Sequence, residues 1–177
     1  MTLVVVSGAP GTGKSTVGAA VADALRWPLL SLDPVKEALA DVLGPGGEDW
    51  SDRVGDAAAE VIFTLTAEFP DAVAEGWWRG ARRERAVREF AGAVEVFCRC
   101  GPDLAVRRAR ARHGAGRHPI HRDMINPGKM LDRVGELAGT VVPLHLGAAL
   151  ITVDTGRPGA AGGAVRGVVA ALNGGSG

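Results

Sequence analysis

Gly8-Ala9-Pro10-Gly11-Thr12-Gly13-Lys14-Ser15 meets the pattern G-x-x-x-x-G-K-[ST] at every fixed position. Before it, Leu3-Val4-Val5-Val6 is short, apolar and β-branched, as a strand buried on both faces should be. After it, residues 16–25 continue with apolar side chains at helical spacing. The octet therefore joins a strand to a helix N-terminus. Unpaired N–H groups and the positive end of the helix dipole face an anion there, and the glycines let the backbone wrap a phosphate closely. In such a loop Lys14 reaches the outer phosphates and the Ser15 hydroxyl is placed to ligate Mg²⁺. The expected nucleotide contacts run from Gly8, Ala9, Pro10, Gly11, Thr12 and Gly13 through Lys14 and Ser15 to Thr16.

The chain has 177 residues, enough for one α/β domain with a substantial core and short for two. Lys plus Arg and Asp plus Glu are equal at 20 each, so no global field argues for nucleic acid or an anionic membrane, and any basic site is local. No stretch reaches the length of a membrane span, and no basic segment precedes the first apolar run. The expectation is a soluble, cytoplasmic protein. Cys98 and Cys100, two apart in an expected strand, point to one face at a spacing poorly suited to bridging, which fits a reduced compartment.

Beyond the first helix, residues 27–32 read as a second buried strand, and Asp33-Pro34 as a helix start with Asp33 at the N-cap. Asp33 also stands at the C-terminal end of a strand beside the phosphate loop, where open α/β sheets bind ligands. Cap and catalytic base are compatible roles for it. Residues 44–50 form a loop, followed by a helix from about Ser51. Residues 71–75 make a third strand ending in Glu75, a second carboxylate on the same rim. Glu75 holds Mg²⁺ through water, binds substrate or ends the strand; its pattern alone leaves the three open. Trp77 and Trp78, with Trp50, form either an aromatic wall for a substrate or buried packing. Arg79, Arg82, Arg83, Arg85 and Arg88 follow on a polar helix, the earliest of them near enough to the rim to meet an anionic substrate.

Residues 93–98 are the fourth strand, and Gly101-Pro102-Asp103 starts a basic helix. Its arginines lead into a glycine- and cation-rich loop at 113–123, a candidate lid, since phosphoryl transfer needs positive charge and exclusion of water. A basic run without a recognised nucleic-acid module is a weak sign of RNA binding, and the histidines at 113, 118 and 121 lack a defined zinc spacing. Residues 128–137 suit an amphipathic helix, and residues 149–153 a fifth strand. The loop of Asp154, Thr155, Gly156, Arg157 and Pro158 either lines a base pocket or is a plain turn. A closing helix over 162–172 and a flexible tail at 173–177 complete the chain. Strands alternating with helices predict a three-layer α/β/α sandwich with a five-stranded parallel sheet.

With these pieces in order, the chain resembles the P-loop kinases of small molecules, the group of chloramphenicol phosphotransferase, gluconate kinase, adenylate-type kinases and zeta toxins, and within it the small bacterial "AAA family ATPase" predicted kinases. The likeness rests on residues 8–15, on Ser31-Leu32-Asp33-Pro34-Val35-Lys36-Glu37, on the 107–121 segment with Arg117-His118-Pro119, and on Val153-Asp154-Thr155. It implies a single P-loop NTPase domain of the kinase type over 1–172 with a lid at about 107–128, using ATP and Mg²⁺ to phosphorylate a small-molecule hydroxyl. It implies Asp33 as the residue that orients or deprotonates the acceptor, Lys14 and the lid arginines Arg107, Arg110 and Arg117 around the transferred group, and Thr155 and Arg157 by the nucleotide base. Lys36, Glu75, Trp78 and Arg79 are the candidate acceptor contacts. Two departures stand out: the third strand lacks a clear Asp-bearing nucleotide motif, and no signature names the acceptor. The alternatives are a nucleotide-dependent regulatory ATPase and a polynucleotide end kinase. Oligomeric state is not legible.

Overall fold

The computed structural model describes residues 2–47, 49–121 and 127–174. Five parallel strands lie in the order β2-β3-β1-β4-β5: β1 Thr2–Gly8, β2 Leu29–Ser31, β3 Asp71–Glu75, β4 Val94–Arg99 and β5 Leu150–Asp154. Among the described residues seven α-helices join them: α1 Lys14–Leu25, α2 Leu32–Leu43, α3 Trp50–Glu68, α4 Ala81–Glu89, α5 Pro102–Gly114, α6 Pro127–Thr140 and α7 Ala160–Gly174. Alternation along β1 explains the layers. Leu3 and Val5 face a core shared with Ala58, Ile62, Phe63 and Phe90, whereas Val4 and Val6 face one shared with Val17, Val21, Ala164 and Val168. The first core lies under α2, α3 and α4, the second under α1 and α7. This is the expected α/β/α sandwich. Among the described residues no helix is long and apolar enough to cross a membrane.

Several expected boundaries move. The second strand is three residues long, not residues 27–32, because it is the sheet edge and Leu32 already belongs to α2. Ser31 is therefore the N-cap, Asp33 lies inside the first turn, and no side chain caps that end. Cys98 lies in β4 and Cys100 beyond its end; both thiols are free and buried, and burial pushes Cys98 up to about 12, so it is inert at neutral pH. Helix α7 continues to Gly174, so residues 173 and 174 of the expected tail are helical, and residues 175–177 lie outside the described residues. So do residues 122–126 of the expected lid.

Trp78, named above for substrate contact, is 4% exposed and packs against Phe63 and Phe90 at centroid distances of 5.6 and 5.2 Å. It is a core residue, of the kind whose truncation costs about 3–5 kcal/mol. One buried charge also has a structural task. Glu95 accepts hydrogen bonds from Ser7 Oγ at 2.6 Å and from the backbone N–H groups of Leu144 and His145 at 2.8 and 2.9 Å. It thereby ties the α6–β5 connection to the sheet and leaves no unpaired carboxylate oxygen in the core.

Candidate active site

The phosphate loop lies where β1, the central strand, ends. Gly11 and Gly13 have φ of +82° and +80°, a region that favours glycine, and a Cβ on Gly11 would stand 2.5 Å from the Ala105 carbonyl oxygen. Thr12 braces the loop, its hydroxyl donating to the Ala9 carbonyl at 2.7 Å. Gly13 begins α1 with no side-chain cap and no acidic residue in the first turn, so the helix N-terminus keeps its donors and its dipole for a ligand. A cavity of about 460 Å³ opens over it, lined by Gly13, Lys14, Ser15, Thr16, Arg108 and Thr155 among others.

Thr155 and Arg108 close one side. The Thr155 hydroxyl donates to the Thr12 carbonyl at 2.7 Å, and Arg108 donates to Thr155 Oγ1 and to its carbonyl oxygen, both at 2.9 Å. The fifth-strand loop is thus clamped onto the phosphate loop. Arg157 takes no part in this: it is 82% exposed and pairs with Asp154 at 3.4 Å. Arg107 and Arg110 are exposed on α5 and line neither this cavity nor the next one, whereas Arg108 and Arg112 line it. The signal was in the sequence. Ala105 and Ala109, one turn apart and buried, mark the inner face of α5, and Arg108 and Arg112 share the adjoining stripe.

Glu75, at the end of β3, is 2% exposed. Its carboxylate accepts from Ser31 Oγ at 2.5 Å and from Ser15 Oγ at 3.4 Å, and lies 4.0 Å from Lys14 Nζ. A buried carboxylate beside the loop hydroxyl and lysine is a donor set suited to a hydrated hard cation. Ser15 and Glu75 therefore fit Mg²⁺. Among the described residues no group of three or more His, Cys, Asp or Glu gathers elsewhere as a metal site.

A second cavity, of about 270 Å³, shares Lys14 and Arg112 with the first and holds Asp33, Lys36, Arg79 and Arg117. Trp77 lines it, and Trp78 does not. Asp33 meets Arg117 at 3.4 Å. Burial alone would raise the Asp33 pKa, but Lys14, with His121, Arg117 and Lys36, outweighs it and holds the carboxyl below its ordinary value. The segment carrying Arg117 docks along α2, whose Asp33, Glu37 and Asp41 recur every fourth residue. His121 Nε2 meets Glu37 at 2.7 Å and His118 Nε2 meets Asp41 at 3.0 Å. His118 Nδ1 accepts the Ile120 N–H, so its proton is on Nε2 and is donated to Asp41. Lys36 donates to Ser51 Oγ at 2.8 Å, and Ser51 donates to the Ile120 carbonyl at 2.6 Å. Sequence reasoning gave Ser51 only as a helix start and Arg82 only as one of the arginines of a polar helix, because nothing local marks a residue whose partner lies many positions away.

Residues 3–137 match the family described as AAA domain. A shikimate kinase of Paracidovorax citrulli is 31% identical over 157 residues, 85% of this chain and 80% of that protein. One from Bradyrhizobium diazoefficiens is 32% identical over 114 residues, 62% of this chain and 54% of that protein, so the match spans about half of that relative. Among solved structures, a protein of Chloroflexus aurantiacus described as a kinase candidate superposes with a TM-score of 0.82 at 32% identity, covering 97% of this chain and 98% of that one. A gluconokinase from Sinorhizobium meliloti shares the fold, with a TM-score of 0.60 at 21% identity over 97% of this chain and 91% of that one. With the family match covering more than half of its length, a phosphate loop that opens into two joined cavities, and a kinase relative aligned over most of both chains, the protein belongs to the AAA domain family and is a P-loop small-molecule kinase.

Proposed function

We propose that the protein transfers the γ-phosphoryl group of ATP, bound with Mg²⁺, to a hydroxyl of a small molecule such as a sugar, nucleoside or antibiotic. The observation that carries this reading is the junction of the two cavities at Lys14 and Arg112, with a carboxylate, Asp33, on the acceptor side and uncapped helix N–H groups on the other. Asp33, kept ionised by its cationic neighbours, accepts a hydrogen bond from the incoming hydroxyl and takes its proton as the new P–O bond forms. Lys14 and the N-terminus of α1 neutralise the phosphates, and Arg112 and Arg117 face the group in flight. Ser15 and Glu75 would hold Mg²⁺, which would supply positive charge to offset that of the transferred phosphoryl group.

Arg108 and Thr155 position the base-side loop, and Arg107, Arg110 and Arg157 carry no step. Residues 115–121, which carry Arg117, act as the lid, excluding water when the acceptor is in place. The three contacts along α2 that hold its Arg117–His121 portion against the acceptor side support that part of the reading. Labelled ATP offered with a panel of sugars, sugar acids, nucleosides and antibiotics tests it. Asp33→Asn should cut transfer by roughly a hundredfold to ten-thousandfold while nucleotide affinity survives. Label released only to water across the panel would sink the kinase assignment.

A further inference from the structure

The chain as a whole is charge-balanced, yet among the described residues seven Lys and Arg side chains and two carboxylates line the acceptor cavity. Three of the cations have other work: Lys14 and Arg112 line both cavities, and Arg117 meets Asp33. Lys36, Arg79 and Arg82 form another group, brought together from α2, the β3–α4 connection and α4. Each is held in position. Lys36 is oriented by Ser51; Arg79 lies over the Trp77 ring at 5.2 Å and pairs with Asp52; Arg82 pairs with Asp56 at 2.9 Å.

The carboxylate partners of the two arginines are exposed. The Arg82 side chain is 13% exposed and Asp56 is 66% exposed. Burial, together with Arg79, lowers the Arg82 pKa; burial also lowers Lys36, with Arg82 and Arg79 adding to it against the pull of Asp33 and Asp52. Helix α3 makes room for this arrangement. Gly55 is a poor helix residue by propensity, and a Cβ on it would lie 2.9 Å from Arg82 Nη1. Lys36 and Arg82, partly dehydrated in a cavity wall beside Arg79, where both arginines have exposed carboxylates as partners, are complemented by an anion from outside.

We infer that the acceptor carries an anionic group, a carboxylate or phosphate, seated on Lys36, Arg79 and Arg82, with its reacting hydroxyl turned toward Asp33. This rests on the kinase reading above and narrows it. Arg82 supplies a planar fork for two oxygens and Lys36 a point charge. Lys36 and Asp33 are three residues apart on one helix face, about 5–6 Å between Cβ atoms, so hydroxyl and anion are separated by the span of a small hydroxy acid or hydroxyalkyl phosphate.

The test uses matched pairs that differ in the anion alone: gluconate with glucose, shikimate with its methyl ester, and glycerol 3-phosphate with glycerol. Phosphoryl transfer is measured for each, and binding of each is measured by calorimetry with the nucleotide cavity filled by a non-hydrolysable ATP analogue and Mg²⁺. The anionic member should exceed its neutral partner by roughly tenfold or more in kcat/KM, and the carboxylate and phosphate arms tell which anion fits. Arg82→Gln and Gly55→Ala should each raise KM for the anion by roughly tenfold, with Arg82→Lys restoring part of it. Gly55→Ala should hold or raise the unfolding temperature, which separates loss of the site from loss of the fold. Equal use of both members of every pair, or anion binding unchanged in Arg82→Gln, overturns the anion site and leaves the kinase standing. Anion binding that is lost in Arg82→Gln, with no transfer to any compound, supports the anion site and overturns the kinase. No anion binding beside the filled nucleotide cavity overturns the inference.

Discussion

The two cavities that meet at Lys14 are built from different materials. The nucleotide cavity is made largely of backbone: one octapeptide supplies the loop, positive-φ glycines set its curvature, and the first turn of α1 offers its N–H groups. The acceptor cavity is made of side chains, contributed by α2, α3, the β3–α4 connection, α4, α5, the 117–121 segment and α6. A backbone site tolerates change except at its glycines and its lysine. A side-chain site can be retuned one residue at a time, which is how one fold serves many acceptors.

Lys14→Ala strikes the point the two cavities share and should have the largest effect, a loss of roughly a thousandfold in turnover with weakened nucleotide binding, read by steady-state assay and calorimetry. A milder loss confined to KM for the acceptor would break the picture of a shared centre. Glu75→Gln tests the nucleotide side alone. It keeps the shape but removes the charge beside Ser15, so the Mg²⁺ concentration for half-maximal rate should rise roughly tenfold, with acceptor KM unmoved.

Arg117→Gln acts on the acceptor side alone. Removing that cation raises the Asp33 pKa, and the base works only when ionised, so the acid limb of log(kcat/KM) moves to higher pH. An unshifted limb would separate Asp33 from the rate. The smallest expected effect is on stability. Burial outweighs Asp33 and Glu37 and lowers the His121 pKa, so the unfolded chain takes up its proton first. Stability should therefore fall as pH drops below about 6.5, and His121→Gln should flatten that slope in urea unfolding.

The division between the cavities also explains what could be read from the chain. The phosphate loop, β3 ending at Glu75 and the alternating elements were legible because each is a local pattern, a run of φ-permissive glycines or a hydrophobic period. Asp33 was found as a rim carboxylate but taken for an N-cap; the helix begins two residues earlier because Leu32 packs in the core beneath α2. On α5 the basic run was visible, yet its phase was not: Arg107 and Arg110 face solvent and Arg108 and Arg112 face the site, a choice made by the contact of Ala105 with Gly11. The paired tryptophans divided between the two outcomes open to them, Trp77 in the cavity wall and Trp78 in the core.

By itself the sequence determined the strand–loop–helix that binds phosphate, the parallel sheet and the family, because these follow from backbone freedom and hydrophobic period over adjacent residues. Only the tertiary structure decided that Glu75 sits beside Ser15, that Arg117 reaches Asp33, and that Arg82 crosses Gly55 to join Lys36 and Arg79. Those contacts join residues 27 to 84 positions apart, or lie on helices whose relative rotation is set by packing, and no local pattern encodes such a meeting.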